Sequence, residues 1–83
     1  MQAELTNPIF VLNEVLVSVN NRIAEVEGRL AALRKAAERL DYNSIAERNN
    51  HSQQNTAHGE LMGLSHAQGA LEGRIAVTKI WLS

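Results

Sequence analysis

IFVLNEVLVSVNNRIAEVEGRLAALRKAAERL, residues 9–40, carries its larger apolar side chains at Ile9, Leu12, Leu16, Val19, Ile23, Val26, Leu30, Leu33, Ala37 and Leu40. The steps between them alternate three and four without a break, which is the heptad seam of an amphipathic helix that must bury one stripe against other helices. The seam spans about 48 Å at 1.5 Å per residue, long enough to read as coiled-coil-like packing. Upstream, Thr6-Asn7-Pro8 reads as the helix start, with Asn7 capping and Pro8 at the first helical position. Residues 1–6 carry no pattern of their own.

Charges beside the seam decide the direction of the partner helix. A parallel pair would set Arg22 against Glu27, which attracts, but Arg29 against Arg34, which repels, while Asn13 and Asn20 contribute nothing. An antiparallel partner is therefore expected, and the chain supplies one. Asp41-Tyr42-Asn43-Ser44 gives turn residues and a new N-cap, and Glu47 stands three residues after Ser44 as a capping box. A second helix follows from about residue 45 to 82, with an apolar line through Ala57, Leu61, Leu64, Leu71, Ile75 and Leu82 that Gln68 and Thr78 interrupt. The predicted fold is all-α: a long antiparallel helical hairpin, helix one over 8–40, turn 41–44, helix two over 45–82, forming one domain that assembles into a helical-bundle oligomer.

Folding back at Tyr42 sets residue i opposite roughly 84−i, so Leu61 meets Ile23, Leu71 meets Leu12 and Ile75 meets Ile9. Near the turn the stripes disagree, because Leu30, Leu33 and Leu40 then face Asn50, Gln53 and Gln54. Helix two also holds Gly59, Gly63, Gly69 and Gly73, each costing about 1 kcal/mol relative to Ala in a helix interior. Two readings follow: a small-residue face with Ala67 and Ala70 for close helix approach, or a break near 59–63.

At the open base of the hairpin, Phe10, Val11, Val15, Val17, Val77, Ile80 and Trp81 lie off the seam. Two helices cannot bury all of them, so these residues are the expected oligomer interface, with Trp81 closing the base against Phe10. An 83-residue chain without cysteine has a thin core and no disulfide to staple it, and association is the remaining staple.

The net charge of −1 provides no global field for nucleic acid or an anionic membrane. Residues 29–48 carry five basic and three acidic side chains, hence +2 against −3 elsewhere, and the mixture is too dilute for duplex DNA. The apolar run from Ile9 is interrupted by Asn13 and Glu14 and is too short to span a bilayer, so a cytoplasmic chain without membrane contact is expected.

Arg48 to His58 is almost wholly polar, and His51, Gln54, Asn55 and His58 share a helix face at i, i+3, i+4 and i+7. With Arg34, Arg39, Tyr42 and Arg48 around the turn, they form the expected partner- or ligand-binding surface. The histidines at 51, 58 and 66 are spaced by seven and eight, not the four that places two ligands on one helix face, so no metal is expected. No phosphate loop, cysteine nucleophile or enclosed carboxylate pair points to catalysis or a cofactor. The expected function is a non-enzymatic, oligomeric adaptor or inhibitor of a larger protein, of the kind phages and mobile elements encode. The alternative is an oligomeric small-molecule binder holding a nucleotide-like anion between hairpins.

Overall fold

A computed structural model describes residues 7–82. Two helices, α1 (Pro8–Ala37) and α2 (Ile45–Leu82), fold against each other as an antiparallel hairpin of 59 × 21 × 14 Å. The radius of gyration is 18.5 Å, against about 12 Å for a compact domain of this length. The longest dimension matches the length of α2 at 1.5 Å per residue.

The expected caps form. Asn7 has extended backbone angles, and its side-chain oxygen accepts from the Ile9 N–H at 2.8 Å, satisfying one of the free donors of the first turn. At the other end, α1 stops at Ala37, three residues short of the expected Leu40. The N–H groups of Glu38, Arg39 and Leu40 turn back to the carbonyls of Lys35, Ala36 and Ala37, so the last turn tightens to i→i+3 spacing. Leu40 stays half-buried, which is why the seam by itself overran the helix. In the turn, Asn43 takes a left-handed φ of 59°, a conformation asparagine tolerates. Ser44 Oγ accepts from the Glu47 N–H, while the Glu47 carboxylate reaches back to the Asn43 N–H, one residue before the cap, because the Ser44 N–H is taken by the Asp41 carbonyl.

All ten seam residues are buried or half-buried, and Arg22 is the one other residue of α1 that shares this shelter. In α2 the inward row is Glu47, Asn50, Gln54, Ala57, Leu61, Leu64, Gln68, Leu71, Ile75 and Thr78, again in steps of three and four, with Glu60 and Ala67 half-buried beside it. The tight core is small. Val26, Leu30 and Ala57 are closed off, with Leu61 and Leu64 packed against them, and Ile75 is buried separately nearer the base.

The mismatch expected near the turn is closed by side chains rather than left open. Asn50, only 8 % exposed, donates Nδ2 to the Leu33 carbonyl at 2.9 Å, and its own Oδ1 accepts from Gln54 Nε2 at 2.6 Å. A buried amide with both ends satisfied is tolerated beside leucines. Asn20 similarly meets Gln68, so the register lies within one helical turn of the one expected.

α2 runs unbroken through all four of its glycines, and a methyl group at any of them would meet nothing within 4 Å. Within one chain, then, nothing packs against the four glycines. Gly59 and Gly73, two heptads apart on one exposed row of α2, cost helix propensity without a contact in return. Changing both to Ala is expected to stabilise the hairpin by about 2 kcal/mol, read as a higher urea midpoint with an unchanged slope.

Candidate functional site

The antiparallel pairing divides the residues beside the seam into two flanks of different chemistry. On one, the Arg22 flank, α1 contributes Val15, Arg22 and Arg29 and α2 contributes Glu60, Ala67, Arg74 and Trp81, each set at seven-residue intervals. Glu60 is the hub: Arg22 meets its Oε2 through Nε at 2.7 Å and Nη2 at 2.6 Å, and Arg29 stands 3.9 Å from Oε1. Arg22 also reaches Glu25 at 3.1 Å. The hydrogen bonds to Glu60 first, and to Glu25 second, raise the pKa of Arg22 above the ordinary arginine value. The four side chains together carry no net charge.

On the other flank, Arg34 Nη2 lies 2.9 Å from His58 Nε2. A guanidinium only donates, so in this contact His58 Nε2 is the acceptor. His51 is one heptad from His58 on the same row, and Arg48 and Asn55 lie just outside it. The structure joins Arg34 to His58, and Arg48 and His51 border one groove, with Asn55 on the same side of α2 by helical phase. Arg48 Nη2 additionally donates to the Asn43 carbonyl at 3.4 Å, tying it to the turn.

Three of the expected binding residues fall elsewhere. Gln54 is an inward residue whose amide is spent on Asn50, so it does not share a recognition face with His51 and His58. Residue type pointed outward, but heptad phase points inward. Arg39 lies at the opposite side, bordering a shallow groove with Ala32, Lys35 and Ala36. Tyr42 occupies the tip and is 92 % exposed.

At the base, the Arg22 flank opens into a groove of about 720 Å³ between the helices, bordered by Pro8, Val11, Leu12, Arg74, Val77 and Trp81 among others. Trp81 does not close the base against Phe10. It is 83 % exposed and stands with Pro8 and Val11, while Phe10, 53 % exposed, belongs to the other flank, because residues 10 and 11 of α1 diverge by a hundred degrees around the helix. Val11, Val15, Val17 and Val77 are also open to solvent. Arg74 makes no ion pair with any described residue.

Among the described residues, no three His, Cys, Asp or Glu side chains gather as a metal site, and no helix is long and apolar enough to cross a membrane. No protein-family model matches the chain, and no curated protein or solved structure matches it.

Sequence reasoning set Asn50 and Gln54 opposite the seam leucines but also read Gln54 as part of an outward face, and it missed Glu60 as the hub of the ion-pair cluster. Continuing the three-four alternation backwards from Ala57 reaches Gln54, Asn50 and Glu47 in turn, so the phase held the signal that residue type concealed.

Proposed function

We propose that this chain is a non-enzymatic helical interaction protein, an oligomeric adaptor or inhibitor that binds a larger protein partner. One observation carries the reading. The open base exposes Phe10, Val11, Val15, Val17, Val77, Trp81 and Leu82 on both flanks of a hairpin whose tight core has three side chains. A face of that kind, on a chain too small to cover it, marks an association surface. The turn end supplies a different surface: Tyr42, Arg48, His51 and Asn55 are exposed, mix aromatic, cationic and amide groups, and stand at the far end of the rod from the base. The base serves self-association and the turn end serves the partner.

The test separates these roles. Sedimentation is expected to give an oligomer at micromolar concentration. The variant Tyr42→Ala with Arg48→Glu is expected to keep that oligomer while losing one large protein that the unaltered chain retains from a lysate. A stable monomer, or retention unaffected by the tip variant, would overturn the reading. A nucleotide that raises the melting temperature would replace it with ligand binding between hairpins.

A further inference from the structure

We infer that a second copy of this chain lies lengthwise along the Arg22 flank with the same end up, so that Trp81 of each copy fills the base groove of the other. This rests on the oligomeric reading above and specifies its geometry.

Area sets the first condition. A stable interface covers roughly 800 Å² on each partner, and the hairpin is 21 Å wide. About 40 Å of length must therefore be covered. The apolar base spans only residues 8–17 and 74–82, about 15 Å at 1.5 Å per residue, so two hairpins touching end to end would fall well short. The copy has to run along most of the 59 Å rod.

Matching of surfaces sets the direction. With the same end up, Trp81 and Val77 of one α2 come level with Pro8 and Val11 of the other copy's α1, and the apolar bases cover each other reciprocally, as a two-fold interface requires. Above the base, the cluster of Arg22, Glu25, Arg29 and Glu60 faces its own equivalent. That cluster is neutral, so like meets like without net repulsion. Inverting the copy would instead lay Trp81 over the polar row near Gln53 and leave the grooves empty. Its one gain is to bring Arg74 to Glu60 of the second copy, but Glu60 already holds Arg22 at 2.6 Å. A further, partly exposed ion pair is a weaker term than burying a tryptophan.

The absence of cysteine makes the test clean, because Tyr42→Cys gives a single labelling site at the exposed tip. Spin labels there are expected about 30 Å apart or closer in the same-end dimer, whose neighbouring helices lie 8–10 Å apart. Trp81→Ala is expected to weaken dimerisation about 30-fold, the loss typical of a hot-spot residue. Arg74→Leu is expected to tighten it, since it removes the one charge bordering the groove among the described residues. Labels separated by about the length of the rod, with Arg74→Leu weakening association, would establish the inverted pair and overturn this geometry while leaving the proposed function standing. A monomer at every concentration would overturn both.

Discussion

Leu30→Ala is expected to remove about 3 kcal/mol of stability and to lower the melting temperature by roughly 12–24 °C. Leu30 is 4 % exposed and shares the closed part of the core with Val26 and Ala57, against Leu61 and Leu64. Few other side chains can relax into the space a truncated leucine would leave, because only two helices line it. Typical stability for a chain of this length is roughly 4–12 kcal/mol, so one residue holds a large share. Circular dichroism at 222 nm through a thermal ramp measures the change, with both proteins at the same concentration because association shifts apparent stability. Leu33→Ala, at a half-buried position, is the comparison and is expected to cost less. Equal effects at the two sites would mean that the core is not centred on Val26, Leu30 and Ala57.

That centre was legible in α1 and only partly legible in α2. Every inward residue of α1 except Arg22 is an apolar member of the three-four row, so residue type and helical phase give the same answer there. In α2 they disagree: Asn50, Gln54, Gln68 and Thr78 face inward and are polar. The fold class, hairpin direction and both N-caps could be read because each depends on local chemistry at a few residues. The end of α1 could not, since the i→i+3 turn at residues 38–40 keeps the seam's phase while leaving the helix.

The candidate surface was half legible for the same reason. His51, Asn55 and His58 follow from spacing along one helix, whereas the partners of Arg34 and Glu60 depend on which residues the register places across the gap. The exposure of Trp81 belongs to that second kind. A sequence gives its angle around α2, but only the pairing of the helices shows that Phe10 sits on the other flank.

Asn50→Leu is expected to raise the melting temperature while making the assembly less uniform. The substitution replaces an inward amide by a side chain that matches Leu30 and Leu33 across the gap. Complete burial of a leucine contributes about 1.5–3 kcal/mol, from which the hydrogen bond to the Leu33 carbonyl, worth about 1 kcal/mol, is subtracted. The Leu33 carbonyl is inside α1 and keeps its helical partner, and Gln54 is half-buried and can turn its amide to water, so neither group is stranded. The net gain of about 1 kcal/mol corresponds to roughly 4–8 °C in a domain of this size. What is lost is discrimination. Asn50 accepts one arrangement, the one that brings its amide to the Leu33 carbonyl and its oxygen to Gln54. Any slip of one helix along the other, or exchange of α2 between copies, strands that amide among leucines. A leucine at position 50 has no such preference, and the α2 seam would then read as apolar at 50, 57, 61 and 64, adhesive to any comparable stripe. Sedimentation of Asn50→Leu is expected to show mixed oligomers where the unaltered chain is expected to show one species. A higher melting temperature with a single species of the same size would mean that register is fixed elsewhere, at Asn20 and Gln68 or by the turn. A lower melting temperature would mean that the amide network stabilises the hairpin outright.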